Sequence, residues 1–308
     1  MNEFMKNKVL QAHLAILLAN IIYGANYSIA KEVMPKYIQP FAFVLLRIGG
    51  ALLLFMMVST FIIKEKIDKK DLPRLAVLGV CGVMINQLMF LKGLSLTTPI
   101  NASIIMISNP IAVLLFAAIA LKEKMSFNKI AGIALGIAGA LLLLLFNKKF
   151  SFGSETILGD VMILINSLSW AFYVVLAKPL MKKYNTFTVV KWVFIFGFFY
   201  VLPFGYSELQ LVEWKTIPPV AWVCISFVVI ATTFLAYIFN TFALKSLSPS
   251  VVSIYIYLQP FIATLIAVIF GKDELDARKI ISALMIIAGV YLVSLQKTKP
   301  ERSEQISE

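Results

Sequence analysis

Apolar residues along this chain come in long runs that short polar segments separate. The runs are 17 to 24 residues long, close to the roughly 20 residues that a helix needs to cross hydrocarbon about 30 Å thick. They lack the period-two alternation of membrane strands. The pattern therefore predicts an all-α polytopic membrane protein with ten transmembrane helices, over residues 11–30, 41–63, 73–91, 99–121, 130–146, 159–177, 188–206, 219–242, 250–271 and 279–295.

One long segment of the chain occurs twice. Residues 99–142 align without a gap on residues 249–292, and 14 of the 44 positions are identical, including both prolines and both lysines. Internal duplication in an apolar chain is typical of transporters built from two similar halves. We place the halves at residues 1–147 and 148–308. Because five helices per half is an odd number, the second five-helix repeat is predicted to be inverted relative to the first.

Charge distribution indicates the orientation. The composition is 60% hydrophobic and 14% charged, with a mean hydropathy of +0.88, whereas soluble domains have about 25% charged residues. With the N-terminus inside, 18 of the 28 Lys and Arg residues fall in cytoplasmic segments, as the positive-inside rule requires. We therefore predict a multi-pass protein of the cytoplasmic (inner) membrane with both termini cytoplasmic. The net charge of +12 is explained by orientation in the lipid bilayer, so no nucleic-acid partner is expected.

Polar residues inside the spans recur at equivalent positions of the two halves. Asn20 aligns with Asn166 at a shift of 146, and Gln87 aligns with Asn240 at a shift of 153. Because an unmet polar group in hydrocarbon is costly and solute sites cluster at repeat interfaces, such pairs predict a cavity lining. Together with nearby aromatic residues, the candidate solute-binding residues are Asn20, Tyr23, Tyr27, Asn86, Gln87, Asn101, Ser103, Asn109, Asn166, Trp170, Tyr173, Tyr237, Asn240, Tyr255 and Gln259.

Some predicted spans also contain a capping residue, a proline or a basic side chain. Thr98 is predicted to cap the fourth helix, and Pro110 and Pro260 are predicted to bend the two repeated helices near mid-membrane.

Arg47 lies inside the second span, about 9 Å from its outer end by helical rise. Our first interpretation is a structural arginine that reaches outward or pairs with Glu32 or Asp160; contact with solute is the alternative.

Two further spans have features that concern packing. Gly132 and Gly136 form a GxxxG pattern, which permits close helix approach. Packing within the chain is our first interpretation, and a homodimer seam is the alternative. The seventh span contains five aromatic residues within 194–200 and is predicted to face lipid.

These residues together resemble the EamA-type ten-helix members of the drug/metabolite transporter superfamily. Residues 23–27 (Tyr-Gly-Ala-Asn-Tyr) resemble the first-helix motif, although Trp is common where Tyr23 stands. Arg47 with the two glycines that follow it resembles the second-helix pattern, and residues 99–124 with the Gly-rich fifth span resemble the most recognisable block. The resemblance implies a central cavity built from spans one, three, four, six, eight and nine. It also implies transport of small organic solutes such as amino acids or other metabolites, often outward.

The predicted spans contain few side chains that could act as catalytic groups or metal ligands. No Asp or Glu is placed at mid-membrane depth, and His13 is the only histidine. No catalytic, metal or cofactor site is therefore expected, and the chain is predicted not to be an enzyme. We expect a secondary transporter that moves small neutral or zwitterionic solutes by alternating access, as an exporter or uniporter. The alternatives are a proton-coupled drug/metabolite antiporter and, further off, a channel or an intramembrane enzyme.

Overall fold

The computed structural model describes residues 3–61, 65–145, 156–269 and 277–295. Within these ranges every regular element is helical and no strand occurs. The helices of the N-terminal half are α1 (Glu3–Val33), α2 (Pro40–Phe61), α3 (Leu72–Gly79), α4 (Asn86–Leu96), α5 (Pro99–Met106), α6 (Asn109–Ala120) and α7 (Phe127–Leu145). Those of the C-terminal half are α8 (Ile157–Lys183), α9 (Thr186–Gln210), α10 (Pro219–Phe227), α11 (Ala236–Ser246), α12 (Pro249–Ile254), α13 (Leu258–Ile269) and α14 (Ala277–Ser294).

Six helices of the described chain are long and apolar enough to cross a membrane. They cover Asn7–Val33, Pro40–Ser59, Lys69–Leu96, Ile157–Lys183, Thr186–Gln210 and Pro219–Ser246. Shorter apolar helices cover Ile104–Ala120, Phe127–Leu142, Pro249–Ile262 and Ile280–Ser294. The all-helical polytopic fold is thus confirmed, whereas the count of ten spans stays a prediction.

Two helices are interrupted at equivalent points of the two repeats. The helix formed by α5 and α6 breaks at Ile107 and Ser108, whose amides bond to carbonyls three residues back, at 3.1 and 3.0 Å. Its counterpart passes through a 3₁₀ turn at Tyr255–Tyr257 between α12 and α13. Each break lies just before the second proline of its repeat, as the sequence predicted, because proline removes a backbone donor. The predicted cap is also confirmed: the Thr98 hydroxyl accepts from the amide of Asn101 at 3.1 Å.

A second pair of equivalent helices contains wide turns. A π-helical segment, Val80–Ile85, joins α3 to α4, and another, Val228–Leu235, joins α10 to α11. Such segments rotate the residues that follow them relative to a continuous α-helix, and they are frequent at functional sites. Here they precede the polar residues of α4 and α11.

Packing between helices follows the same plan in both halves. The helix α7 packs along α14, and α2 packs along α9. The contact of α4 with α8 is matched by that of α11 with α1, and the contact of α6 with α8 is matched by that of α13 with α1. Exchanging the two halves therefore leaves this set of packing partners unchanged.

Small residues let α7 and α14 approach each other closely. A Cβ atom built on Gly289 would lie 2.6 Å from the carbonyl oxygen of Gly132 and 2.9 Å from the amide nitrogen of Gly136. The GxxxG face of α7 is therefore filled from within the same chain, by α14 at Gly132 and by the Tyr257 ring at Gly136, as our first interpretation expected.

Polar contacts identify which helix ends lie together. At one end, Lys31 donates to the carbonyl of Thr97 (2.8 Å), and the Thr97 hydroxyl donates to Asp160 (2.5 Å). At another, Lys183 donates to Asp71 at 2.6 Å. The end of α1 thus lies beside the start of α8, and the end of α8 lies beside the residues that precede α3.

The aromatic residues of α9 do not all face outward. Phe199 is 63% exposed, but Phe194 is fully buried and its ring centroid lies 5.0 Å from that of Phe55 and 4.9 Å from that of Tyr237. The prediction of a lipid-facing helix is therefore wrong for Phe194, because α9 packs against α2, α3 and the π-helical segment that joins α3 to α4.

Candidate functional site: a polar cavity between the two halves

A cavity of about 80 Å³ lies among the helices of both halves. This volume is several times what one buried water molecule needs. Ten of the predicted residues line the cavity, namely Asn20, Tyr23, Tyr27, Asn86, Gln87, Asn166, Trp170, Tyr237, Asn240 and Gln259. They are joined by residues that the prediction did not include: Asn26, Arg47, Phe90, Met106, Thr232, Val252 and Ile256.

A chain of side-chain hydrogen bonds joins α1 to α13 at one wall. The amide nitrogen of Gln259 donates to Oδ1 of Asn20 at 2.8 Å, and the Tyr27 hydroxyl donates to Oε1 of Gln259 at 3.2 Å. Nδ2 of Asn20 is in turn bonded to the carbonyl of Ile16 at 2.8 Å. The side-chain amides of Asn20 and Gln259 bond each other across the two halves. This contact holds both side chains in one arrangement.

The opposite wall is organised around a buried tyrosine of α11. The Tyr237 hydroxyl accepts from Nε2 of Gln87 at 2.5 Å and donates to the carbonyl of Gly82 at 2.7 Å. That carbonyl lies in the π-helical segment that precedes α4. Next to it, Nδ2 of Asn166 donates to the carbonyl of Asn86 at 2.8 Å. Gly82 in the π-helical segment and Asn86 directly after it therefore supply backbone acceptors to side chains of α11 and α8, two helices of the C-terminal half.

Aromatic rings form the apolar part of the lining. The ring of Trp170 lies 5.6 Å from that of Tyr237 in an edge-on arrangement, and Tyr27 meets Phe90 in the same way at 5.6 Å. Edge-to-face aromatic pairs are favourable beyond the area they bury. The cavity thus offers amide and hydroxyl groups beside aromatic faces, which suits a small solute with both polar and apolar parts.

One charged side chain faces this cavity. Arg47 is 2% exposed, and its Nε donates to the hydroxyl of Thr233 at 2.8 Å. The interpretation that it reaches outward or pairs with an acid does not fit, since Asp160 is bonded to Thr97 and to Thr156 and Glu32 is exposed. Among the lining residues there is no Asp, Glu or His.

Four predicted residues lie elsewhere than on the cavity lining. Asn109 donates to the carbonyl of Ser167 at 2.6 Å, and the Tyr255 hydroxyl bonds Nδ1 of His13 at 2.7 Å. Tyr173 is buried against Gly82, and Asn101 is fully buried in α5. For Ser103 the prediction falls outside the side chains that the structure describes.

Two of the lining residues that the prediction did not include could have been found from their spacing in the sequence. Asn26 lies three positions after Tyr23 and Thr232 lies eight before Asn240, so helical spacing places each near a predicted lining residue. The apolar members Met106, Val252 and Ile256 carry no such signal, because nothing distinguishes them from residues that face lipid.

No metal site accompanies the cavity in the part of the chain that the structure describes: no three His, Cys, Asp or Glu side chains come together there. The apolar helices, the interrupted pair and the cavity lined by polar side chains of both halves define the class of protein, a multi-pass membrane transporter. The EamA-like transporter family matches residues 10–145 and 157–295. The chain belongs to that family, whose members are transporters and not enzymes.

Relatives in bacteria and plants support this assignment. The uncharacterized transporter YyaM of Bacillus subtilis (strain 168) is 26% identical over 290 residues, covering 93% of this chain and 94% of the relative. A WAT1-related protein, At3g53210 of Arabidopsis thaliana, is 24% identical over 324 residues, covering 93% and 86%. A solved crystal structure superposes with a TM-score of 0.72 at 19% identity, covering 94% of this chain and 97% of the other. That likeness concerns the fold alone.

Proposed function

We propose that this chain is a secondary transporter of small zwitterionic or neutral organic solutes, such as amino acids or related metabolites. It acts in the cytoplasmic membrane with both termini inside, by alternating access between two inverted five-helix halves, as an exporter or uniporter. The observation that carries the proposal is the cavity between the halves, whose polar lining comes from both of them and repeats the residue pairs Asn20 with Asn166 and Gln87 with Asn240.

The contacts at helix ends support the inversion. Because Lys31 near the end of α1 and Asp160 near the start of α8 both bond Thr97, α1 leaves the bundle where α8 enters it. Similarly, Glu208 near the end of α9 accepts from the amides of Phe41 and Ala42 at the start of α2, at 2.9 and 3.0 Å. These contacts support the proposal that equivalent helices of the two halves run in opposite directions, as inverted repeats require.

A difference between the two halves supports alternating access. Asn20 and Gln259 are joined directly, side chain to side chain, at 2.8 Å. Their repeat equivalents, Asn166 and Asn109, are not joined: Asn109 bonds the carbonyl of Ser167 instead. Two similar halves therefore hold different conformations at equivalent places. If each half adopts the conformation of the other, the same cavity becomes accessible from the opposite face of the membrane.

The test is counterflow in proteoliposomes with a panel of metabolites. We expect saturable exchange of at least one amino-acid-like solute, reduced about fivefold or more by Asn20→Ala and Gln87→Ala, since buried polar contacts contribute about 1–3 kcal/mol. Trp170→Ala should also reduce exchange, because it removes an aromatic ring of the lining. Asn128→Ala is the matched control, because Asn128 is exposed on α7 and is expected to leave exchange unchanged. If the three cavity variants matched the control for every solute carried, the site assignment would be wrong.

Proton-coupled antiport is the second candidate, and the same vesicles test it. Proton-coupled carriers usually place a carboxylate or histidine in the membrane, and the lining contains neither. We therefore expect a pH gradient alone to drive no concentrative uptake. Concentrative uptake under that gradient, abolished by an uncoupler, would replace uniport by antiport and leave the rest of the proposal in place.

Assembly into a homodimer stays a prediction without a defined surface. The GxxxG seam that suggested it is filled from within the same chain. Cross-linking in native membranes would show whether another lipid-facing helix serves instead.

A further inference from the structure

Arg47, a residue of the cavity lining, has an unused hydrogen-bond donor. Its Nε is bonded to the Thr233 hydroxyl at 2.8 Å, whereas Nη1 is buried and has no hydrogen-bond partner among the described residues. Thr233 in turn donates to the carbonyl of Val228 at 2.7 Å. The guanidinium is therefore held from the Nε side by the π-helical segment of the C-terminal half, while part of its fork remains unpaired.

The positive charge of Arg47 also lacks a counter-charge in the part of the chain that the structure describes. Arg47 makes no ion pair with any residue in the described ranges, and every other residue of the lining is uncharged. Burying an unpaired charge is costly, and ionisable groups at membrane depth usually meet a partner or mark a substrate pathway. An arginine that served only to pack helices would meet an acid, as Lys129 meets Glu123 in this chain.

We infer that Arg47 is the counter-ion of a carboxylate on the transported solute, so that the cavity selects carboxylate-bearing solutes over otherwise identical neutral ones. This rests on the proposed transport function and narrows its solute class. A guanidinium matches a carboxylate by two parallel hydrogen bonds, and the unpaired Nη1 provides one of the donors required. The carboxylate of the solute thereby supplies the negative charge that the described lining residues lack.

The charge balance favours a single carboxylate over a more highly charged anion. One carboxylate neutralises the one cation of the lining, whereas a phosphate monoester would leave excess negative charge at depth. Among the described residues, the side-chain oxygens of Asn26, Asn166 and Asn240 are buried without a hydrogen-bond partner, and they can accept hydrogen bonds from an ammonium group. Together these groups suit an amino acid, with its carboxylate at Arg47 and its ammonium at the asparagines.

The experiment compares matched pairs of probes on the purified full chain: L-leucine with L-leucinamide, L-phenylalanine with L-phenylalaninamide, and 3-phenylpropionate with its amide. Thermal stabilisation in detergent reports binding, and counterflow in proteoliposomes reports transport. We expect the acids to bind roughly thirtyfold or more tightly than the amides, as for a desolvated charge pair. Arg47→Gln should abolish this preference, and Arg47→Lys should restore part of it. Lys215→Gln removes an exposed charge and should leave the preference intact.

The possible outcomes test the proposed transport function, the carboxylate site, or both. Acids that stabilise the wild type but are not transported would support the carboxylate site and overturn the proposed function. Acids and amides carried equally well, or a preference that Arg47→Gln retains, would support transport and overturn the inference. If no probe binds or moves in the wild type while the protein melts cooperatively, both claims fail.

Discussion

The hydroxyl of Tyr237 links the two halves at the cavity wall, and its removal tests the structure there. Tyr237 is 1% exposed, and its hydroxyl makes hydrogen bonds of 2.5 Å with Gln87 and 2.7 Å with the Gly82 carbonyl. Tyr237→Phe removes both bonds and keeps the ring. Each buried hydrogen bond contributes about 0.5–1.5 kcal/mol, and interhelical bonds in membranes average about 0.6 kcal/mol. We expect a loss of about 1–2 kcal/mol in the free energy of unfolding.

The chain offers a matched control for this variant. Tyr173 is also 1% exposed and lies in ring contact with Tyr237, 6.3 Å between centroids, but among the described residues its hydroxyl has only a poorly formed contact with the Thr241 side chain. Tyr173→Phe should therefore be close to neutral or stabilising, because it removes a buried hydroxyl without a well-formed hydrogen bond.

The assay is thermal unfolding in detergent, with an expected fall of about 2–6 °C for Tyr237→Phe, and unfolding in mixed micelles gives the free energy. Equal melting temperatures for the two phenylalanine variants would refute the assigned hydrogen bonds and the helix rotation that places them. A larger loss in Tyr173→Phe than in Tyr237→Phe would show that the tyrosines have been assigned each other's environment.

Two further predictions concern helix packing and topology. Gly289→Ala should lower the free energy of unfolding by about 1–2 kcal/mol, because a Cβ there would meet three backbone atoms within 3.2 Å and overpacking outweighs the gain in helix propensity. Gly49→Ala, whose Cβ would meet only the Phe198 ring at 3.3 and 3.9 Å, should be neutral or stabilising; a reversed order would contradict the close approach of α7 and α14. In a background without native cysteines, Lys66→Cys and Lys183→Cys should be labelled from the cytoplasmic face and Lys215→Cys from the other. Labelling of Lys66→Cys and Lys183→Cys from different faces would exclude the inverted arrangement.

The repeated elements were predictable because they depend on local chemistry. Pro110 and Pro260 remove backbone donors wherever they lie, so the two interrupted helices follow from the sequence. The polar pairing of Asn20 with Asn166 likewise predicts a shared environment, since both halves bury equivalent groups.

The environment of individual polar residues was less predictable. Asn109 is as polar as Asn20, and its repeat equivalent, Gln259, also carries a side-chain amide, yet Asn109 bonds a neighbouring backbone carbonyl. Arg47 was visible at depth, but its direction depends on Thr233, 186 positions away in the chain. Helical periodicity states which residues share a face, whereas the neighbour of that face is decided by the rotation of the helix against distant segments.

By itself, the amino-acid sequence determined that this protein is an all-helical membrane transporter of duplicated design, because run length, composition and internal repetition are properties of the chain alone. The tertiary structure decided which groups meet in the cavity and that an arginine lies among them without an acid. The physical reason is that hydrophobicity selects which segments enter the membrane, while hydrogen bonding and packing between distant helices select which polar groups face one another.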